Sequence, residues 1–466
     1  MSDTSTNAFT AGPLGITYLK TALPVIIVMG ANGLLSVVDA LFLGHYVGAG
    51  ALAAVTLIFP VYMLIVALSA LVSNGMSSQL ARYLGASDHA SARAVFSGAH
   101  GLAVGLGTLL ILLFFCFGSA LIGLLSDGSD RIAGMGLTYL RITVLCAPLF
   151  FVLSVNSDAL RNEGRVGFMA AMSLLVSLSN IGFNYVLIAR LDMGVAGSAY
   201  GTALAQMLAF VIILAFRISG RSLLSPRALV MYSPFRRWAR IFALGAPQSL
   251  GFLGLSLGSV AIISALQWVG STHYPETVTA YGIITRVITF TFLPLLGLSF
   301  AMQTITGNNY GAELWDRSDA SLRTALWLAF LYCVVVQVVV MSAPVAIAEA
   351  FTDRALVIEE VARLLPVMSC VFFLVGPLMI VASYFQAIGS ASVSALLGLS
   401  KPYLFAIPLT FVLPLFFGEP GVWYAGPAAE VMSLGLTALV LWRLSRAGQG
   451  AWGLFHGGVQ GTRRLT

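Results

Sequence analysis

The stretch "GLLSVVDALFLG", residues 33–44, is an apolar run with one carboxylate, Asp39, set inside it. Whether that run is a buried core helix or a membrane span decides the fold. The rest of the chain answers. It has 466 residues, of which 59% are hydrophobic and 9% charged, with a mean hydropathy of +0.94. Soluble domains carry about 25% charged residues, so this composition excludes a soluble globular class and marks an integral membrane protein. The first fifteen residues, "MSDTSTNAFTAGPLG", lack a basic n-region and lead into an apolar segment too long for a signal peptide. That segment reads as the first span. The four cysteines, Cys116, Cys146, Cys333 and Cys370, lie in apolar runs without C-x-x-C spacing, which points to small buried hydrophobes rather than disulfides or a metal site.

A helix needs about 20 apolar residues to cross a bilayer. Runs of that kind predict twelve spans, at 16–43, 51–80, 94–125, 134–158, 168–189, 195–218, 241–270, 279–307, 324–349, 358–386, 400–417 and 422–445. Such long unbroken runs exclude a β-barrel, whose strands alternate. With the N-terminus inside, 18 of the 24 Lys and Arg fall on inner segments, Lys401 among them. Only Arg131, Arg190 and Arg354 fall on outer loops, and Arg141, Arg286 and Arg363 fall within spans. This bias predicts a multi-pass protein of the cytoplasmic (inner) membrane with both termini cytoplasmic. It also explains the net charge of +6 as topology and contact with membrane lipid, with no nucleic acid as partner.

The chain repeats itself. "YLGASDHASAR" (83–93) after span 2 matches "YGAELWDRSDASLR" (310–323) after span 8, and "MGVAGSAYGTALAQ" (193–206) matches "PGVWYAGPAAEVM" (420–432). The predicted fold is therefore all-α, with twelve transmembrane helices in two six-helix pseudo-symmetric bundles. Residues 1–220 form an N-terminal lobe, 221–240 a basic cytoplasmic linker, and 241–466 a C-terminal lobe with a cytoplasmic tail. An even number of spans per half gives parallel repeats, related by an axis along the membrane normal. Repeats of this kind favour transport, by a carrier or by a channel.

A charge at the bilayer centre costs at least about 2.5 kcal/mol, so intramembrane ionisable residues are candidate functional groups. Among the acids, Asp39 and Glu430 stand clearly inside spans, while Asp158 lies near the end of span 4 beside Asn156. Asp39, Asn180, Asn184 and Thr202 fall at similar depth in the outer half of the first bundle, with Asn180 and Asn184 spaced i, i+4 on one helix face. All are hard oxygen donors suited to H⁺ or Na⁺; an interhelical clamp is the other reading for the amides and the hydroxyl. Because low dielectric disfavours a charged carboxyl, Asp39 suits a proton-holding role. In the second half, Arg286 and Glu430 sit at equal depth with opposite sign, which predicts an ion pair. Arg141 and Arg363 are expected to snorkel to an interface. There is no H-E-x-x-H motif, no nucleotide-binding loop and no paired nucleophile and base, so the chain is no enzyme.

The motifs then become recognisable. "YGIITRVITFTFLPLLGLSFAMQTITGNNYGA" (281–312), "VVDALFLGHYVGAGALAA" (37–54), "MGVAGSAYGTALAQ" and "PGVWYAGPAAE" resemble the multidrug and toxic compound extrusion (MATE) family in its DinF-like branch, along nearly the whole chain. The resemblance implies an antiporter that expels amphipathic, often cationic small organic substrates in exchange for H⁺ or Na⁺ by alternating access, as a monomer and without a cofactor. It implies that Asp39 is the coupling carboxylate, that Asn180 and Thr202 belong to its polar cluster, and that Pro24 is a hinge in span 1. Asn184 departs from the pattern, since many DinF-like members carry an Asp there. The acids of the NorM-like branch are absent from spans 7 and 10. Cation coupling is thus expected in the N-terminal lobe, with H⁺ favoured because one carboxylate is present. The rival transport reading is a lipid-linked precursor flippase of the same superfamily, which typically has more spans and a more cationic cavity; an ion channel is the other alternative.

Overall fold

The computed structural model describes residues 7–125, 130–270 and 273–446. Every regular element among them is helical. Eleven helices are long and apolar enough to cross a membrane: Leu14–Val47, Phe59–Gly85, His89–Gly123, Arg131–Asn162, Val166–Arg190, Gly194–Ile218, Trp238–Val269, Tyr274–Gly311, Trp315–Ser342, Ala391–Phe417 and Glu419–Arg446. A twelfth span is the pair Ala355–Ser369 and Phe372–Ala387, bent by 45° at its break. In chain order these are spans 1–12, with the bent pair as span 10. Their outer faces carry side chains no aqueous surface would tolerate in such numbers, including Phe115, Phe117, Trp327 and Phe416, all more than 60% exposed. Lipid is the solvent that satisfies them.

The described chain divides into two compact units. The first is Leu23–Leu253. Its core is built by Val72, Met76 and Leu80 of span 2, Phe96 and Leu102 of span 3, and Phe151 and Val155 of span 4. Span 2 and the start of span 7 touch backbone to backbone. A Cβ on Gly75 would lie 2.1 Å from the Ile241 carbonyl oxygen, and one on Gly245 would lie 1.9 Å from that of Leu71. No residue but glycine fits either position.

A buried ion pair anchors the connection between spans 6 and 7. Arg217, at the end of span 6, lies 3.3 Å from Glu163, both side chains being 2% exposed. Its Nε donates to Asn156 Oδ1 (2.7 Å), and its Nη1 donates to Ser222 Oγ (2.7 Å) and the Leu224 carbonyl (2.9 Å). Its guanidinium also stacks over the Phe96 ring at 4.8 Å. Glu163 Oε1 accepts from the Leu224 N–H (2.8 Å) and Ser222 Oγ (2.7 Å). A buried pair is tolerable only when its remaining donors and acceptors are satisfied in this way. Residues 222–224 are thereby fastened to spans 4 and 6, so this part of the basic stretch is a docked segment and Arg217 is a structural residue.

The second unit comprises the described parts of Met1–Ala22 and Gly254–Thr466. Leu364, Leu365, Ile284, Tyr281 and Trp423 form its core. The start of span 1 belongs here because its polar groups find partners here. The Tyr18 hydroxyl bonds the Ser321 carbonyl (3.0 Å) and hydroxyl (2.8 Å). Arg317 donates to the carbonyls of Gly12 (2.7 Å) and Ala11 (2.9 Å), and Asn7 donates to Asn308 (2.8 Å).

The structure alters several expectations. The compact units divide the chain at 22/23 and 253/254. The expected tail lies outside the described residues. Cys116 and Cys370 are exposed rather than buried, and Cys333 alone of the four is buried. Arg363, half-exposed, pairs with Glu360 (2.6 Å) and with Glu419 at the start of span 12 (2.7 Å). Asp158 pairs with Arg161 at 2.7 Å.

Candidate functional site

Asp39 sits near the end of the Leu14–Phe42 α-helix, just before a π-helical segment, Leu43–Val47. Asn184 is the last residue of the Val166–Asn184 α-helix, and a second π-helical segment, Tyr185–Arg190, follows it at once. Wide π turns are rare and concentrate at functional sites, because they redirect side chains within an otherwise regular span. Here two such turns flank two side chains that meet.

The Asn184 amide Nδ2 donates to Asp39 Oδ1 at 2.7 Å. The same nitrogen lies 3.1 Å from Asn180 Oδ1, one turn earlier on span 5. The Asn180 amide reaches the Thr202 hydroxyl of span 6 at 2.9 Å, and that hydroxyl donates to the Ser198 carbonyl at 3.2 Å. Asn180 and Asn184 are fully buried, whereas Asp39 and Thr202 are partly open. The four residues singled out from the sequence thus form one continuous hydrogen-bonded chain across spans 1, 5 and 6.

Turning the Asn180 amide by 180° gives a second arrangement. Its nitrogen then lies 2.9 Å from Asp39 Oδ1, while its oxygen accepts from the Thr202 hydroxyl (2.9 Å) and N–H (3.1 Å). In that arrangement the carboxylate is served by two amide donors, which favours its ionised form.

Residues that sequence reasoning passed over complete the site. A Cβ on Gly201 would lie 2.1 Å from Asn184 Oδ1; only glycine lets span 6 approach closely enough to seat that amide. Tyr62 of span 2 and Tyr139 of span 4 lie within electrostatic reach of Asp39. The sequence signal was available for Gly201, in the small-residue spacing of "GVAGSAYGTA" (194–203). No such pattern marks the tyrosines.

The donor set can be weighed against each ion. Na⁺ needs several oxygens converging on one point, yet the amide nitrogen of Asn184 is aimed at the carboxylate. Asn184 Oδ1 is buried without a hydrogen-bond partner. Among the described residues no cluster of three or more His, Cys, Asp or Glu is placed to hold a metal.

The expected pair between Arg286 and Glu430 is not formed. Glu430 is buried and paired with Lys401, which lies within span 11 and not on an inner segment. Arg286 instead borders a cavity of about 320 Å³ with Thr279, Phe351, Thr352 and Arg354. Hydropathy misplaced Lys401 because "LSKPY" (399–403) reads as a loop. The structure carries that stretch through the span as a third π-helical segment, Ser400–Ala406, which accommodates the missing N–H and the bulk of Pro402. Pro24 lies inside the first α-helix, where it leaves the Lys20 carbonyl without its intrahelical donor.

Comparison with known proteins places the chain among transporters. The MatE family model matches residues 24–186 and again 247–412, one match in each half. The chain is 22% identical to the probable multidrug resistance protein YoeA of Bacillus subtilis (strain 168) over 411 residues, covering 85% of this chain and 87% of that protein. It is 23% identical to the multidrug export protein MepA of Staphylococcus aureus (strain bovine RF122 / ET3-1) over 455 residues, covering 95% and 97%. A crystal structure of MATE in complex with MaD3S superposes with a TM-score of 0.87 at 23% identity, covering 96% of this chain and all of that one. That likeness shows a common twelve-helix fold.

Proposed function

The chain belongs to the MatE family of membrane transporters, and from that premise we propose that it is a multidrug efflux antiporter. It exports amphipathic, often cationic organic compounds in exchange for H⁺ by alternating access. The family relatives support the substrate class, since YoeA and MepA are described as multidrug resistance and export proteins. One observation carries the coupling: the 2.7 Å bond from Asn184 to Asp39, which continues through Asn180 to Thr202.

The exchange follows from hydrogen-bond logic. Ionised Asp39 accepts from Asn184 and, with the Asn180 amide nitrogen on the side of the carboxylate, from Asn180. Protonation removes an acceptor and adds a donor. The new O–H must find an acceptor, an amide oxygen or water, and a change at Asn180 reaches Thr202 on span 6 through their hydrogen bond. Charge-assisted hydrogen bonds are worth about 1.5–3 kcal/mol each, enough to shift a balanced pair of conformations by one to two orders of magnitude. Facing outward, Asp39 takes up the proton and the contacts of span 1 change as drug leaves. Facing inward, it gives the proton up and drug binds again. Na⁺ is the alternative cargo at Asp39, Asn180, Asn184 and Thr202. The protein works as a monomer in the cytoplasmic membrane, with both termini cytoplasmic as the distribution of Lys and Arg supports.

The test is reconstitution. Proteoliposomes loaded with rhodamine 6G, with ΔpH and Na⁺ gradients imposed separately, should show efflux under ΔpH alone. Efflux driven only by Na⁺ would reassign the ion. A conductance without counter-ion exchange in planar bilayers would replace the carrier with a channel.

A further inference from the structure

Lys401 and Glu430 form a second intramembrane charged site. Lys401 lies ten residues beyond Ala391, about 15 Å along span 11, and Glu430 lies eleven residues beyond Glu419, about 16 Å along span 12. These spans contain 27 and 28 residues, so both charges sit towards the middle of the membrane. The carboxylate of Glu430 is held by Lys401, yet the two are unequally enclosed: the Glu430 side chain is 6% exposed and that of Lys401 is 41% exposed. Of the pair, the lysine side chain is the accessible one.

Water is the environment that fits that exposure. An ammonium open to lipid near the bilayer centre costs about 2.5–3.5 kcal/mol, and a lysine side chain is too short to snorkel across about 15 Å of helix. Intramembrane charges accordingly line aqueous paths or the protein interior. Its backbone is also fixed. The Ser400–Ala406 π turn is wedged against span 7, where a Cβ on Gly254 would lie 2.8 Å from Pro402 Cβ and 3.3 Å from the Tyr403 ring. Lys401 therefore presents an ammonium with three donors, one of them used by Glu430, at a rigid position open to solvent.

We propose that Lys401 binds an anionic group, a carboxylate, on transported compounds, and that Glu430 is the tethered counter-ion that such a group displaces. The proposal rests on the efflux reading and extends it to zwitterionic substrates. It predicts discrimination between two dyes that share a xanthene cation: rhodamine 6G, an ethyl ester, and rhodamine 19, the corresponding free carboxylate.

Binding is measured by fluorescence anisotropy on purified full-length protein, and efflux on proteoliposomes. Lys401→Gln should weaken rhodamine 19 binding about tenfold and leave rhodamine 6G within twofold; Lys401→Arg should retain both. Glu430→Gln removes the competitor and should tighten rhodamine 19 binding severalfold. A purely structural pair predicts the opposite, namely parallel loss of both dyes in K401Q and E430Q. That result, or an unchanged dye ratio in K401Q, overturns the proposal while leaving efflux of rhodamine 6G intact as evidence for the transporter. If added phosphatidylglycerol abolishes rhodamine 19 binding to the wild type but not the residual binding of K401Q, the site belongs to a lipid phosphate and the substrate role falls. Wild-type protein that moves neither dye would overturn the efflux reading itself.

Discussion

At the residue scale, Asn184 reaches Asp39 because Gly201 has no side chain. Replacing Gly201 with Ala forces a methyl group to within 2.1 Å of Asn184 Oδ1, and such overpacking costs about 1–3 kcal/mol. The expected outcome is a melting temperature lower by several degrees and gradient-driven efflux reduced at least tenfold; wild-type efflux would mean that the amide is not part of coupling. Asn184→Asp adds a second carboxylate facing Asp39 and removes the donor nitrogen. That variant should acquire Na⁺-stimulated efflux, and unchanged ion dependence would remove Asn184 from the site. Asp39, Asn180, Asn184 and Thr202 were legible in the sequence because polar groups in lipid are few and depth can be counted along a span. The Lys401–Glu430 pair was not, since Pro402 beside Lys401 mimics a loop, and only the π turn reveals that the chain runs on.

At the element scale, span 1 changes from α to π turns one turn after Asp39, span 5 does so directly after Asn184, and span 11 does so around Lys401. Hydropathy locates spans but is blind to such changes, because an α and a π turn bury the same residue types. Hydropathy was equally blind to the connection after span 6, which reads as a basic linker and is in fact fastened by Arg217. Breaking a buried pair by removing one partner costs about 3–5 kcal/mol. Arg217→Met should therefore lower the melting temperature in detergent substantially. Arg217→Lys should recover little of it, since lysine cannot serve Asn156, Ser222 and the Leu224 carbonyl together. A variant R217M that melts with the wild type would show that the network contributes nothing.

At the scale of the whole molecule, span 1 passes from one compact unit into the other between Ala22 and Leu23, immediately before Pro24. The chain carries Asp39 some fifteen residues beyond that point, so a bend at Pro24 would move the carboxyl relative to the anchored start of the span at Tyr18. Pro24→Ala should slow efflux severalfold while rhodamine 6G still binds; equal slowing of binding would argue against a hinge. The two-lobed repeat was legible because each half repeats its motifs, whereas the unit boundaries were set by glycine contacts and buried polar partners that no composition shift announces. The central claim is that Asp39 couples the cation to the drug. The direct measurement is ΔpH-driven rhodamine 6G efflux from proteoliposomes containing Asp39→Asn, with dye binding checked in parallel. The account predicts retained binding and loss of gradient-driven efflux; efflux at the wild-type rate in D39N would contradict it.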